Sequence, residues 1–175
     1  MKQYRILVMG AGAIGSATGG FMAKAGHEVV FLGRPGHTAA VRDRGLRISG
    51  IWGDHFAAGI PAFDNPAQVP PLDYDMVLVC VKSYDTARAA ETIAPFVGAD
   101  TLVCAYQNGL GNAEILAERY GHHRIAGARV IYGARILEPG HVEITVIAAP
   151  TALGVYSAEA PAERVRAMAE AMDAA

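Results

Sequence analysis

Apolar residues fall into short runs separated by glycine, proline or polar turns, a pattern that predicts buried strands alternating with helices. Residues 4–9 and 28–32 form two such runs, and residues 13–25 between them have the spacing of a helix that ends at Gly26. A strand, turn, helix and second strand within about 30 residues predict a parallel crossover. Two more strands with following helices are predicted at residues 76–81, 84–96, 101–106 and 111–120.

The middle of the chain is less regular. Residues 46–49 and 55–60 predict the two short strands of a hairpin. Four prolines between Pro61 and Pro71 then predict a surface loop that leads into the strand at residues 76–81. Later in the chain, Asn112 is the expected N-cap of the helix at residues 111–120, and Gly121 is its expected stop.

After residue 124 the predicted strands follow one another without helices between them. They lie at residues 125–137, 141–147 and 153–156, and Glu138-Pro139-Gly140 forms a predicted hairpin turn. Pro161 opens a last helix. Its apolar stripe runs to the end of the sequence, which suggests that a continuation or a partner covers it. In an independent module, the stripe would instead be buried against the rest of the same chain. The stripe consists of Val165, Met168 and Met172.

Composition and charge narrow the class of protein. The chain has 175 residues, of which 52% are hydrophobic, enough for one domain with a real core. The net charge of −2 argues against nucleic acid or an anionic membrane as the main partner. No apolar stretch of about 18 residues is present, so we expect no membrane span. These features predict a cytoplasmic protein.

Cysteine and histidine residues provide no metal or disulfide framework. Cys80 and Cys104 both lie in apolar runs, which excludes a disulfide scaffold and a thiolate zinc site and fits a reducing compartment. We expect both thiols to fill the core. His122 and His123 follow a helix stop and are expected in a solvated loop, so no metal site is predicted.

A glycine-rich motif, GxGxxG, follows the first predicted strand directly and opens the first helix, spanning residues 10–15. In this context Gly10 permits a tight turn, Gly12 lets the backbone approach a pyrophosphate, and Gly15 allows close packing of helix on strand. The helix N-terminus would offer its unpaired N–H groups to the phosphates. The motif predicts a Rossmann-type, doubly wound, mostly parallel α/β sheet with a C-terminal antiparallel hairpin. The alternative is a glycine-rich turn that binds nothing.

The residues after the second strand bear on the choice of cofactor. An NAD-binding protein usually has an acidic residue there, which binds the ribose 2′-hydroxyl. Residues 31–37 contain no carboxylate but do contain Arg34, whose guanidinium can bind a 2′-phosphate. We therefore predict NADP(H) as the cofactor. The alternative for Arg34 is a solvated arginine that follows a strand.

Two polar residues follow the next strands. Lys82 comes after residues 76–81, and Asn108 follows residues 101–106 just before Gly109. The carboxyl ends of parallel strands share one sheet edge, where ligands bind, so both residues should meet the glycine turn in one crevice. The alternatives are a lysine that only reaches water and an Asn-Gly turn.

Three sequence blocks occur together in a characteristic order. They are residues 10–15 (GAGAIG), 81–86 (VKSYDT) and 107–112 (QNGLGN). Together they resemble the N-terminal, NADP-binding domain of the ketopantoate reductase (2-dehydropantoate 2-reductase) family, across essentially the whole chain. The resemblance implies NADPH-dependent reduction of 2-dehydropantoate, or a similar 2-keto acid, to pantoate, in the pathway to pantothenate and coenzyme A.

The resemblance also assigns residue roles. It implies that Lys82 and Asn108 lie near cofactor and substrate and act in catalysis. The implied cofactor-binding residues are Gly10, Ala11, Gly12, Ala13, Ile14, Gly15, Arg34, Lys82, Asn108 and Ala134. On this basis residues 1–160 form the NADP-binding domain, and residues 161–175 begin a helix that leads to a C-terminal domain.

The family's helical C-terminal domain has no counterpart in the 175 residues. In the family it closes the cleft and supplies a lysine general acid, polar substrate ligands and a glutamate. The other two lysines besides Lys82 are Lys2, before the first strand, and Lys24, at the end of the first helix. Both are predicted away from the crevice, so the family's proton donor is expected to be absent.

Two other functions remain alternatives. One is a non-catalytic NADP(H)-binding module, such as a redox sensor or a truncated relative that works through a partner. The other is a related hydroxy-acid dehydrogenase, against which the blocks around Lys82 and Asn108 argue. A small-molecule substrate is the expected partner, and a homodimer is compatible with the sequence.

Overall fold

A computed structural model describes residues 2–175, which contain eleven strands and five α-helices. The strands are β1 (Arg5–Met9), β2 (Glu28–Leu32), β3 (Leu46–Gly50), β4 (His55–Ala57), β5 (Ala62–Phe63), β6 (Met76–Val79), β7 (Leu102–Ala105), β8 (Ile125–Arg129), β9 (Tyr132–Glu138), β10 (His141–Ile147) and β11 (Ala152–Val155). The helices are α1 (Ala13–Lys24), α2 (Pro35–Arg44), α3 (Thr86–Ile93), α4 (Asn112–Tyr120) and α5 (Ala162–Asp173).

The larger sheet has seven strands in the order β11-β8-β7-β6-β1-β2-β5. All neighbouring pairs are parallel except β11 with β8, which is antiparallel. Strands β6 and β7 are buried along their whole length, as short, wholly apolar runs should be in a sheet covered on both faces. The chain order reverses between β1 and β6, which creates a crevice at their carboxyl ends.

Helices and a second sheet cover the two faces of the larger sheet. On one face α3 and α4 pack through Ile93 and Leu116 in one apolar cluster. On the other face α1, α5 and the second sheet share another cluster, which includes Met22, Val165 and Ile144. The prediction of a doubly wound, mostly parallel α/β sheet is therefore confirmed.

The second sheet has four strands in the order β4-β3-β10-β9. Strands β9 and β10 form the predicted C-terminal antiparallel hairpin, while β10 pairs with β3 in parallel. The prediction of one strand over residues 125–137 is wrong, because the chain leaves the larger sheet after Arg129 and enters the second sheet at Tyr132. Local hydrophobicity cannot show this change of sheet, since the residues on both sides are equally suited to strands.

The sequence pattern does not predict helix α2, because it indicates no regular element at residues 33–45. Pro35 occupies its first turn, and Gly45 follows its end with φ +84°, so the sequence does carry start and stop signals. Its buried side chains include both His37 and Val41. This mixed polar and apolar face lacks the periodic apolar stripe on which the helix predictions depend.

The apolar stripe of α5 is covered by the chain itself. Val165 and Met168 are almost fully buried in the larger apolar cluster, and Met172 packs against it. Val165 and Met168 are therefore not exposed, while Met172 is partly buried. No separate helical domain occurs among residues 2–175, in agreement with the expectation from the sequence.

Candidate functional site

The glycine turn is fixed between two neighbouring parts of the sheet edge. The amides of Gly10 and Ala11 donate to the carbonyl of Leu32, at 2.8 and 3.2 Å, which ties the turn to the end of β2. Gly10 has φ +98°, and a Cβ there would lie 2.8 Å from the amide nitrogen of Val81. Only glycine permits this conformation and this contact, so the turn lies directly beside the segment that carries Lys82.

Gly12 and Gly15 differ in their surroundings. A Cβ on Gly15 would lie 2.4 Å from the Gly10 carbonyl oxygen and 2.9 Å from a methyl group of Val8, so this position must be glycine for α1 to pack on β1. A Cβ on Gly12 would have only the Gly10 oxygen nearby, at 4.0 Å. Gly12 also caps α1 without a side-chain hydrogen bond. The start of α1 thus combines open space at Gly12 with N–H groups that no side chain caps, which suits a phosphate.

Arg34 lies next to this turn. The preceding residue, Gly33, packs so closely against the turn that a Cβ there would lie 2.9 Å from the Cβ of Ala11. Arg34 is the N-cap residue of α2, and its side chain is exposed. A guanidinium is thus available at the end of β2, and no carboxylate occurs between residues 31 and 37.

Lys82 and Asn108 lie on neighbouring loops at the same edge, and both are exposed. The hydroxyl of Ser83 donates to the carbonyl of Asn108 at 2.8 Å. The side-chain amide of Gln107 donates to the carbonyl of Val81 at 2.7 Å. Together with the close approach of Gly10 to Val81, these bonds place the glycine turn, Lys82 and Asn108 beside one another at the carboxyl edge of the larger sheet.

Three buried polar side chains that the sequence does not predict as site residues lie beneath these loops. Thr86, Gln107 and Asn112 are all at least nine-tenths buried. The prediction of Asn112 as an N-cap is wrong: Gly111, with φ +86°, has that position, and Asn112 is the first helical residue. Its side chain points inward and bonds to Thr86 and to the loop that follows β7.

Ala134 lies elsewhere from the other predicted site residues. It is in β9, paired with Ile144 of β10, and its side chain packs against the larger apolar cluster. Strand β9 does approach the glycine turn, because the hydroxyl of Tyr132 donates to the carbonyl of Ile14 at 3.2 Å. Ala134 thus belongs to the second sheet, while the other predicted residues lie at the edge of the larger one.

The remaining lysines lie away from the crevice. Lys2 approaches Asp75 at the amino edge of the larger sheet, with 3.5 Å between Nζ and the carboxylate. The Nζ of Lys24 lies 3.0 Å from Nδ1 of His55 in the second sheet. Among residues 2–175, Lys82 is therefore the only lysine at the carboxyl edge.

The two cysteines have neutral thiols. Burial raises the pKa values of Cys80 and Cys104 well above the usual value, which keeps both thiols neutral.

A cavity of about 460 Å³ lies on the side of α1 that faces β9, with the hydroxyl-bearing residues Thr18, Tyr106 and Tyr132 in its wall. It is lined by neither the glycine motif nor Lys82 or Asn108.

Residues 2–175 contain no group of three or more His, Cys, Asp and Glu side chains arranged to hold a metal ion. Over the same range, none of the helices combines the length and the apolar composition that a bilayer crossing requires.

Residues 6–158 match the family model described as ketopantoate reductase PanE/ApbA. The 2-dehydropantoate 2-reductase of Aquifex aeolicus is 36% identical over 165 residues, which cover 94% of this chain and 51% of the relative. That of Archaeoglobus fulgidus is 35% identical over 142 residues, which cover 81% of this chain and 44% of the relative. The chain thus spans about half the length of these curated relatives.

A solved structure has the same arrangement over nearly the whole chain. The 2-dehydropantoate 2-reductase of Geobacter metallireducens GS-15 is 32% identical and superposes with a TM-score of 0.87. The match covers 97% of this chain and 55% of the solved one.

Proposed function

The chain belongs to the PanE/ApbA family of ketopantoate reductases, and we propose that it binds NADP(H) at the carboxyl edge of its larger sheet for the reduction of a 2-keto acid. The observation that carries the proposal is the open space at Gly12, which faces the uncapped start of α1 beside Arg34. The first candidate substrate is 2-dehydropantoate, the substrate in the names of the relatives, and its product would be pantoate, a precursor of pantothenate and coenzyme A.

The glycine turn would hold the pyrophosphate. The N–H groups in the first turn of α1 have no side-chain cap, and the space that a Cβ on Gly12 would fill is open. Hydrogen bonds from these groups and the positive end of the helix dipole both stabilise phosphate oxygens. Ala11, Ala13 and Ile14 would contribute through their backbone alone, because their side chains are apolar.

Arg34 would bind the adenosine end of the cofactor. Its guanidinium follows β2, where the ribose of a dinucleotide lies in this fold. A bidentate, charge-assisted hydrogen bond to a 2′-phosphate distinguishes NADP(H) from NAD(H), and no nearby carboxylate in residues 31–37 opposes the phosphate charge.

Lys82 and Asn108 would act at the other end of the cofactor. When bound, NADPH supplies a hydride to the ketone carbon of the substrate. The Lys82 ammonium can bind the substrate carboxylate or the ketone oxygen, and the Asn108 amide can donate to the same oxygen. Both groups then orient the carbonyl and stabilise the charge that develops on its oxygen.

Calorimetric titration of the 175-residue chain with NADPH and with NADH tests this proposal. We expect NADPH to bind more tightly by about tenfold or more, because a hydrogen bond to a charged group contributes about 1.5–3 kcal/mol. Equal affinity for the two nucleotides would contradict the role of Arg34. Absence of binding by either nucleotide would contradict the proposed function itself.

A non-catalytic NADP(H)-binding role is the second candidate. It is favoured by the exposure of both Lys82 and Asn108, since neither side chain is enclosed by a second wall within residues 2–175. An open site lacks the exclusion of water and the substrate positioning that hydride transfer requires. Turnover of 2-dehydropantoate by the chain would distinguish the two candidates.

A further inference from the structure

A buried chain of hydrogen bonds joins the two loops that carry Lys82 and Asn108. The side-chain amide of Gln107 donates to the hydroxyl of Thr86 at 2.9 Å. That hydroxyl donates in turn to Oδ1 of Asn112 at 2.8 Å. Thr86 lies at the start of α3, while Gln107 and Asn112 lie in the loop after β7 and at the start of α4, so the bonds join α3 to a segment 21 to 26 positions later in the sequence.

Asn112 connects Thr86 to the loop after β7 through hydrogen bonds. Its Nδ2 lies 3.2 Å from the carbonyl oxygens of both Asn108 and Gly109 and can donate to each of them. The same nitrogen lies 3.3 Å from the hydroxyl of Ser83, which itself donates to the Asn108 carbonyl. The Nδ2 contacts of Asn112 are therefore with the loop of Asn108 and the loop of Lys82.

The orientations of the Gln107 and Asn112 amides are determined by the backbone carbonyls that accept from them. The Val81 carbonyl accepts from Gln107, which fixes the amide nitrogen of Gln107 toward Thr86. The Thr86 hydroxyl accepts from this nitrogen, and its own proton is within reach of two acceptors, Oδ1 of Asn112 at 2.8 Å and the Ser83 carbonyl at 2.9 Å. Bonds arranged head to tail in a buried environment strengthen one another, and a group left unpaired there is costly.

We propose that Thr86 and Asn112 are positioning residues, which hold the loops of Lys82 and Asn108 at one separation and thereby set the affinity for the nicotinamide half of NADP(H). This inference rests on the proposed function. It adds a role for two residues that are buried and so cannot touch the cofactor themselves. Their effect must therefore pass through the backbone of residues 82–85 and 108–111.

The adenosine half of the cofactor provides an internal reference. That half would bind Arg34, which follows β2, and the glycine turn, which is held to β2 by the bonds from Gly10 and Ala11 to Leu32. None of these bonds involves Thr86 or Asn112. A defect in the buried bonds should therefore weaken NADPH binding but spare adenosine 2′,5′-bisphosphate, which has the 2′-phosphate and lacks the nicotinamide.

The test compares Thr86→Val, which removes the hydroxyl and keeps the volume, with Thr86→Ser, which keeps the hydroxyl. Thr92→Val is the matched control, because Thr92 lies in the same helix and its hydroxyl bonds only within that helix. Ser83→Ala is a milder second variant at an exposed position, which protects the test against a folding defect in Thr86→Val. Affinities for NADPH and adenosine 2′,5′-bisphosphate are measured by calorimetry on variants shown to be folded by circular dichroism.

We expect Thr86→Val to weaken NADPH binding by about tenfold and Ser83→Ala to weaken it by a few-fold, with the bisphosphate affinity changed by less than about twofold. Thr86→Ser and Thr92→Val should bind both ligands as the unaltered chain does. Amide hydrogen exchange of residues 82–85 and 108–111 should be faster in Thr86→Val alone among the threonine variants.

Unchanged NADPH affinity in folded Thr86→Val would overturn the positioning role, and so would an equal loss for both ligands, which indicates general destabilisation. If Thr86→Val does not fold, unchanged NADPH affinity in Ser83→Ala overturns it instead. Failure of the unaltered chain to bind NADPH would overturn the proposed function and, with it, this inference. The two failures are thus separated by the behaviour of the unaltered chain.

Discussion

Nε2 of His37 lies 2.9 Å from the hydroxyl oxygen of Ser16, and this buried contact joins α2 to the first turns of α1. Nδ1 of the same ring accepts from the amide of Gly140 at 3.3 Å, so the ring is neutral with its proton on Nε2. Ser16 follows Gly15 directly. The imidazole therefore braces the glycine turn against both α2 and the β9–β10 hairpin.

We predict that stability falls as pH falls below 6.5. Burial lowers the pKa of His37, and that of His27, from the ordinary value of 6.5. Between the lowered folded value and 6.5 the unfolded chain binds more protons, so the free energy of unfolding decreases as the pH drops through this window. Protonation of Nδ1 would also break the bond from Gly140.

Urea unfolding at about pH 7.5 and about pH 5 measures this effect. The variant His37→Gln cannot titrate, so its free energy of unfolding should depend less on pH than that of the unaltered chain. His123→Gln is the control, because His123 is exposed in the loop after α4. An identical pH dependence in His37→Gln and the unaltered chain would contradict the prediction.

Arg34→Ala should weaken NADPH binding by about tenfold or more and leave NADH binding nearly unchanged, since only NADPH carries the 2′-phosphate. Calorimetric titration of both nucleotides measures the difference. Arg166→Ala, an exposed arginine in α5, controls for the loss of one positive charge. An equal loss for both nucleotides would show that Arg34 does not recognise the phosphate.

Gly12→Val should remove nucleotide binding while the fold survives. Gly12 has φ −89°, which any residue adopts, and no atom within the chain is closer than 4.0 Å to its Cβ position. The valine side chain would instead fill the space proposed for the pyrophosphate. Circular dichroism and NADPH titration check the two halves of this prediction, and unchanged affinity in the folded variant would refute the proposed role of the turn.

Gly15→Ala, in contrast to Gly12→Val, should lower the stability of the fold. Its Cβ would lie 2.4 Å from the backbone oxygen of Gly10, so the start of α1 must move away from β1. We expect a loss of about 1–3 kcal/mol or more in the free energy of unfolding, measured by urea denaturation. A stability equal to that of Gly12→Val would show that close packing at Gly15 is unimportant.

The 175-residue chain should bind NADPH but not reduce 2-dehydropantoate at an enzymatic rate. Lys82 and Asn108 can orient a substrate, but within residues 2–175 no further lysine reaches the crevice to serve as a general acid. Loss of a general acid lowers the rate by about 10²–10⁴-fold. NADPH oxidation is followed by absorbance, with Lys82→Ala as the control.

Robust turnover that disappears in Lys82→Ala would identify Lys82 as the proton donor and contradict this prediction. Turnover that persists in the variant would contradict it as well and would place the proton donor elsewhere in the chain.

The features that the sequence predicted are local ones. The strand, glycine turn, helix and second strand of residues 4–32 are each encoded by neighbouring residues, because apolar runs and glycines with special backbone angles act over a few positions. Neighbouring residues also encode the position of Arg34, in a segment without a carboxylate, and the two strands that end before Lys82 and Asn108. These local signals were sufficient to place four parts of the candidate site at one sheet edge.

The tertiary structure decided the features that depend on contacts between distant residues. The second sheet, the change of sheet after Arg129 and the burial of the α5 stripe all require partners far along the chain. So does α2, whose His37 binds Ser16 and Gly140. The link between Thr86 and Asn112 crosses 26 positions. No local pattern specifies such pairs, because a buried polar side chain and an exposed one look alike in sequence until the fold brings their partners together.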